Sequence, residues 1–183
     1  MAETKVARRY AKSLLDMGKE KNILELLNTD MQLVVSALRA NRQLAAMFKS
    51  PVIHNFQKDA VITEVFTDKV QEATLDFMRL IVSKNRGSIM DEIAKEYLQL
   101  YKEFKNIHVA YLTTATAIDS KLREQMIDIV KNATGGTIEL NEIVDPSIIG
   151  GFILRWGDNQ LDSSVEHKLV TLKKDFKTTF IQK

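Results

Sequence analysis

The sequence predicts an α+β protein: a six-helix antiparallel bundle over residues 1–106, then a small α/β domain over residues 107–183 in the order β-α-β-β-α. Three observations carry this. Up to Asn106 the only glycines and prolines are Gly18, Pro51 and Gly87, whereas five glycines and Pro146 follow. Runs with strand character begin only after Asn106. The charge balance also shifts, from 17 basic and 14 acidic residues before this point to 9 and 10 after it.

The first helix is expected from about Thr4 to Met17, stopping at Gly18. At about 100° per residue, Val6, Ala7, Tyr10, Ala11, Leu14, Leu15 and Met17 cover roughly half its circumference. Lys5, Arg8, Arg9, Lys12 and Asp16 cover the rest. The second runs from Ile23 to about Ala40, with Leu24, Leu27, Met31, Val34, Val35 and Leu38 at helical spacing. A short third, Gln43 to Phe48, ends ahead of Ser50-Pro51, because proline disfavours helix in the residue before it. A fourth covers about Phe56 to Phe66, and a fifth about Lys69 to Lys84. The sixth starts at Ser88, paired with Asp91 in a capping-box-like spacing, and carries Ile89, Ile93, Tyr97, Leu100 and Phe104. Six helices with short connections describe an antiparallel bundle.

The fifth helix has two apolar stripes. Val70, Ala73, Phe77, Leu80 and Ile81 form one; Leu75, Met78 and Val82 form another, more than about 90° away around the axis. The residues alone leave two readings: a central core helix, or a helix with one face awaiting a partner. The wide apolar arc of the first helix has the same ambiguity, and its Ala7 and Ala11 edge would admit another backbone closely.

In the second domain, Ile107 to Ala115 is rich in β-branched and aromatic residues, which suits a strand. Asp119 is placed to N-cap a helix with Leu122, Met126, Ile129 and Val130, closed by Gly135-Gly136. Thr137 to Val144 alternates through Ile138 and Leu140. Asp145-Pro146-Ser147 is turn chemistry. Ile148 to Trp156 reads as a strand with Phe152, Leu154 and Trp156 on one face, and Gly157-Asp158-Asn159-Gln160 as a loop. Gly150-Gly151 at the start of an apolar strand marks a kink or a close backbone approach. The last helix opens on a Ser163/Glu166 capping box and carries Val165, Leu169, Leu172, Phe176 and Phe180, with Lys173, Lys174 and Lys177 near its end.

Several function classes have no support. The chain has no cysteine, so disulfides, a thiol nucleophile and thiolate metal sites are excluded. His54, His108 and His167 lack ligand spacing, so no metal is expected. Asp158 and Asp162 read as turn and cap residues rather than an acid–base pair. There is no phosphate-cradling glycine motif and no nucleophile elbow; no catalytic residue and no cofactor are expected. No apolar run approaches the roughly 18 residues of a membrane span. The N-terminus lacks the apolar core of a signal peptide. With 26 basic and 24 acidic residues, nucleic acid is not an expected partner. The cluster Lys5, Arg8, Arg9 and Lys12 is a solvated face that could meet an acidic partner. The competing readings are a small α/β-domain enzyme and a basic nucleic-acid-binding protein.

The run Val144-Asp145-Pro146-Ser147-Ile148-Ile149-Gly150-Gly151-Phe152, followed by Leu161-Asp162-Ser163-Ser164-Val165, resembles the C-terminal signature of the δ subunit of bacterial F-type ATP synthases, the family of the mitochondrial oligomycin-sensitivity-conferring protein. The opening Val6-Ala7-Arg8-Arg9-Tyr10-Ala11-Lys12-Ser13-Leu14 and the Ser50-Pro51 pair resemble that family too. The resemblance implies a non-catalytic stator subunit in proton-driven ATP synthesis. It implies a peripheral place at the cytoplasmic face of a bacterial plasma membrane, touching the membrane only through the complex. It further implies that the helical domain binds the N-terminal helix of an α subunit between its first and fifth helices. The second domain would receive the C-terminal end of the peripheral-stalk b subunits. On this reading the expected helix groove comprises Ala7, Tyr10, Ala11, Leu14, Leu15, Leu75, Met78, Arg79 and Val82, with Leu75, Met78 and Val82 a free stripe rather than core. Gly150, Gly151, Pro146 and Ser163 have structural roles.

Overall fold

The Gly- and Pro-poor first half is helical in the computed structural model, which describes residues 2–181 and the side chains of 4–174. Its elements are α1 (Ala2–Glu20), α2 (Leu24–Ala40), α3 (Arg42–Lys49), α4 (Asn55–Phe66), α5 (Glu72–Ser83) and α6 (Met90–Phe104), with a 3-10 turn at Gly87–Ile89. The second half is mixed: β1 (Ile107–Thr114), α7 (Ser120–Thr134), β2 (Thr137–Val144), β3 (Phe152–Trp156), β4 (Asn159–Asp162) and α8 (Val165–Ile181). Contacts divide the chain into two units, Met1–Phe104 and Lys105–Lys183.

In the helical unit, α6 packs along both α1 and α2, and α4 along α5. Leu14, Leu27, Met31, Ile62, Phe66, Ile81, Ile93 and Tyr97 are almost fully removed from water. Each such side chain contributes about 1.5–3 kcal/mol by burial before entropy costs. Tyr97 and Tyr101 bring their hydroxyls to the α6–α2 seam, where they donate to the Leu24 carbonyl and the Glu25 carboxylate. Burial, then the bond to Glu25 and its charge, push the Tyr101 phenol up to about 12.

Helix ends differ from the expected ones for local reasons. α1 runs through Gly18 to Glu20, because this glycine is a packing residue. A Cβ there would lie 2.8 Å from Leu27 Cδ1. The turn comes at Asn22, whose φ is 55°. α5 begins at Glu72 rather than Lys69. Its first turn is held from another helix: buried Asp30 of α2 accepts from the Gln71 N–H at 2.8 Å and from the Thr74 hydroxyl at 2.5 Å. Ser88 lies in the 3-10 turn rather than at a helix N-cap, and Asp91 pairs with Lys95 at 2.5 Å.

The sheet of the second unit has the order β2-β1-β3-β4. β1 and β2 are parallel, joined through α7; β1/β3 and β3/β4 are antiparallel. Alternation puts Ala110, Leu112 and Leu154 on one face, packed against Met126 and Val130 of α7 and flanked by Ile138, Leu140, Phe152 and Trp156. Asp119 Oδ1 caps α7 by accepting from Leu122 N–H at 2.8 Å, and Gly135 closes it in the left-handed region.

Two elements here correct the expected β-α-β-β-α order. The stretch after Trp156 is a hairpin: Trp156 pairs with Asn159 across the two-residue turn Gly157-Asp158, adding strand β4 where a loop was expected. Gly157 has the positive φ, 52°, that such a turn requires. The third strand begins at Phe152, not Ile148. Ser147 N–H and Ile148 N–H bond back to Asp145, so the Asp145-Pro146 turn occupies the preceding residues. Gly150 and Phe152 are then tied to the entry of α8, through Val165 N–H to Gly150 O and Ser163 N–H to Phe152 O, both 2.9 Å. This also corrects the expected cap. Ser163 is a backbone tie, and Ser164 is the capping side chain, its Oγ accepting from His167 N–H at 3.2 Å. Along α8, Leu169 and Leu172 are exposed, so the expected stripe reaches no core there. Phe176, Lys177 and Phe180 lie outside the described side chains.

Three outcomes are expected. Gly151 has φ 82°, and a Cβ would meet Ser163 O at 2.3 Å and Ser164 Cα at 2.9 Å. Gly151→Val should therefore unfold or strongly weaken the second unit. Gly135→Ala, with nothing within 4 Å of its Cβ, should cost only about 1–2 kcal/mol of left-handed strain. Thermal melts followed by hydrogen exchange in residues 107–162 separate the two. Equal effects would show that the contact with Ser163 is not what excludes a side chain at 151.

Asp30→Ala should lower the stability of the helical unit by about 1–3 kcal/mol, since it strips a buried cap and leaves the Gln71 N–H unpaired. Chemical denaturation measures this.

The carboxyls of Asp145 and Asp162 are held below the usual range by hydrogen bonds from Ser147 and Ser164. A depressed folded value stabilises above the unfolded one, about 3.9. That stability is lost as pH falls through the folded value. Asp162→Asn, which keeps an acceptor for Ser164 N–H, should flatten the acid limb of the stability–pH curve below about pH 4; an unchanged limb would exclude Asp162 from it.

Candidate interaction surface

The residues expected to line a helix groove divide sharply by exposure. On α1, Ala7, Ala11, Leu14 and Leu15 are buried within the helical unit, and Tyr10 is half-buried. On α5, Leu75, Met78 and Val82 are buried; Met78 is 0% exposed. The expectation that these three form a free stripe is thus corrected. Both apolar stripes of α5 are enclosed apart from Leu80, with Thr74, Leu75, Phe77, Met78, Ile81 and Val82 all buried. What α5 presents outward is the row Glu72, Asp76, Leu80 and Ser83, with Arg79 half-buried beside it.

Arg79 ties α5 to α4. Its Nε lies 3.3 Å from Asp59 Oδ1, Nη1 lies 3.6 Å from Asp76 Oδ1, and Nη2 donates to Thr63 Oγ1 at 3.0 Å. One hydrogen bond, to Thr63, and two ion-pair approaches, to Asp59 and Asp76, hold the guanidinium against α4 and its own helix. It forms part of a cleft of about 460 Å³ that also includes Phe56, Leu80, Val82 and Ser83. Phe56 is 71% exposed and Leu80 48%. Neither stands out in the sequence as a contact: Leu80 falls on the apolar stripe with Phe77 and Ile81, and Phe56 reads as the first residue of a helix.

On α1 the outward face is basic. Lys5, Arg8, Arg9 and Lys12 are all exposed, and Arg8 reaches Glu103 of α6 at 3.5 Å. The half-buried Tyr10 is the aromatic among them.

The second unit shows its own open surface. Opposite α7, the sheet carries Tyr111 and Ile143, 49% and 47% exposed, with Val109 and Ile153 half-buried. Leu169, Val170 and Leu172 of α8 are exposed as well.

The histidines and Asp162 are engaged in local contacts. His54 stacks on Phe56, His108 pairs with Asn106 Oδ1 at 3.0 Å, and His167 lies 4.0 Å from Asp162. Among the described residues no three His, Asp or Glu side chains are placed to hold a metal ion. Asp162 serves Ser164 N–H at 3.0 Å, which is cap chemistry.

Comparison with known proteins places the chain. Residues 6–176 match the family described as ATP synthase delta (OSCP) subunit. The ATP synthase subunit delta of Flavobacterium johnsoniae is 38% identical over 175 residues, covering 96% of this chain and 98% of that one. The subunit delta of Christiangramia forsetii is 34% identical over 184 residues and covers both chains completely. Among solved structures, a chain of the Toxoplasma gondii mitochondrial ATP synthase hexamer superposes with a TM-score of 0.68 at 24% identity, over 93% of this chain and 96% of that one, which shows a shared fold. The chain belongs to the ATP synthase delta (OSCP) subunit family.

Proposed function

We propose that this protein is the non-catalytic stator subunit of an F-type ATP synthase, linking the top of the catalytic head to the peripheral stalk so that rotor torque is resisted. The observation that carries this is the family match, which runs through both units rather than one. The helical unit acts as a six-helix antiparallel bundle that holds the N-terminal helix of an α subunit against α1 and α5. The second unit receives the C-terminal ends of the b subunits. No helix among the described residues is long and apolar enough to cross a membrane. On this reading the protein meets the membrane through its partners, at the cytoplasmic face.

The physical task is a tight joint without chemistry. An amphipathic helix laid on a preformed surface suits it, because little order has to be created on binding. The buried Ala7, Ala11, Leu14, Leu15, Leu75, Met78 and Val82 supply a rigid floor. Tyr10 stands above it as a group a partner helix touches, Arg79 marks the margin shared with the α4–α5 cleft, and the basic stripe of α1 favours an acidic partner face. In the second unit the uncovered Tyr111, Ile143, Leu169 and Leu172 offer apolar area for stalk helices.

Titrating the full chain with a labelled peptide from the N-terminal end of the α chain tests the first joint. Tyr10→Glu should weaken binding about tenfold or more, since it removes the aromatic contact and sets a negative charge against the acidic partner face, and should leave the melting temperature little changed. Leu80→Glu, on the α4–α5 cleft, should leave binding near wild type. The reverse pattern moves the site to that cleft. Failure of the full chain to bind either this peptide or the C-terminal segment of the stalk b chains would overturn the stator reading.

A further inference from the structure

Lys58 is a charged residue in an apolar position. It stands one and two turns ahead of Ile62 and Phe66 on the buried side of α4, and it is itself only 7% exposed. Lysine is almost never so enclosed without a counter-charge. Here no carboxylate meets it among the described residues. Its Nζ donates to Phe48 O at 3.1 Å and to Ser50 O at 2.8 Å, the carbonyls at the end of α3. These carry partial charges only, and an ammonium has three donors. The C-terminal dipole of α3 offsets part of the positive charge, and one N–H is left without a protein partner among the described residues.

Lys58 also lines a cleft of about 410 Å³, formed where the end of α3, the Ser50–His54 connection, the start of α4 and the turn before α6 converge. Its polar lining includes Lys49, His54, Asn55, Asn85 and Ser88, and it contains no Asp or Glu. Asn55 Nδ2 donates to Asn85 Oδ1 at 2.9 Å, which bridges the two sides and leaves the Asn85 amide nitrogen as a donor. The Ser88 hydroxyl has no partner among the described residues.

We infer that this cleft is a binding site for an oxyanion, a carboxylate or phosphate group, whose oxygens take the third N–H of Lys58 and the Asn85 and Ser88 donors. Charge-assisted bonds of this kind are about twice as strong as neutral ones. The site is built from α3, α4 and the turn before α6 rather than from the α1 and α5 residues of the proposed helix joint, and it does not depend on that proposal.

The test is a backbone amide NMR titration of the full chain with sodium phosphate, and separately with sodium acetate, at ionic strength held constant with sodium chloride. The expected result is a saturable millimolar response centred on Asn85, Gly87 and Ser88. Response to phosphate alone assigns a phosphoryl ligand; equal response to acetate assigns a carboxylate. Lys58→Met should weaken the response at least tenfold. Because that change can also loosen α3 from α4, Ser88→Asp provides the second arm. It puts a negative charge at an exposed position of the lining, and should abolish the response with the melting temperature retained. Shifts that grow linearly without saturating, or that persist unchanged in Ser88→Asp, would overturn the site.

Discussion

The buried carboxylate of Asp30 fixes the geometry on which the helical unit depends. A helix start leaves backbone N–H groups without partners, and a nearby side chain within the same helix usually satisfies them. α5 has no such cap of its own: Gln71 occupies the N-cap position without a side-chain bond. Asp30 takes that role from α2, 41 and 44 residues away in sequence. Its charge also sits at the favourable end of the α5 dipole. Once Gln71 and Thr74 are held, the rotation of α5 is set. Met78 and Val82 then point inward, while Asp76 and Leu80 point out. The orientation of the whole candidate surface on α5 follows from one carboxylate.

The second unit is organised around a comparable tie, made of backbone rather than charge. Gly150, Gly151 and Phe152 run so close to Ser163 and Ser164 that no side chain fits at 151. The bonds from Val165 N–H and Ser163 N–H therefore fasten the start of α8 to the head of β3. Only the entry of the helix is secured in this way. Beyond it, Leu169, Val170 and Leu172 are exposed, so what anchors α8 is its N-terminal turn rather than an apolar stripe.

Much of this was legible in the residues. Single-stripe helices such as α2, and the Asp119/Gly135 ends of α7, follow from periodicity and capping chemistry acting within a few residues. Most of the misreadings share a different cause: a contact distant in sequence. Gly18 looks like a helix stop unless Leu27 is known to press on it. The Ser163/Glu166 spacing is a sound capping box, but the tie to Phe152 gives the role to Ser164. Gly157-Asp158 between Trp156 and Asn159 did carry a two-residue hairpin signal, which the polar Asn159-Gln160 pair obscured. The second stripe of α5 is ambiguous by construction, because periodicity reports that a face is apolar and not what covers it. Lys58 could have been noticed, since its spacing to Ile62 and Phe66 puts a charge on the inward side of α4.

The enclosure of both α5 stripes bears on how such a surface holds a partner. A free Leu75–Met78–Val82 stripe would gain more apolar burial on binding, at about 25 cal/mol per Å². It would also expose a contiguous apolar patch whenever the partner is absent, which invites association with the wrong surfaces. Putting those side chains inside makes them part of the unit's own stability. The partner then meets a surface whose backbone is already fixed, and the loss of side-chain freedom on binding falls on a few groups. Of the groups on α1 and α5 that still reach the surface, Arg79 already donates to Thr63 and lies beside Asp59 and Asp76, so part of its freedom is lost before any partner binds. A joint that must transmit torque without yielding gains more from that stiffness than from additional apolar area.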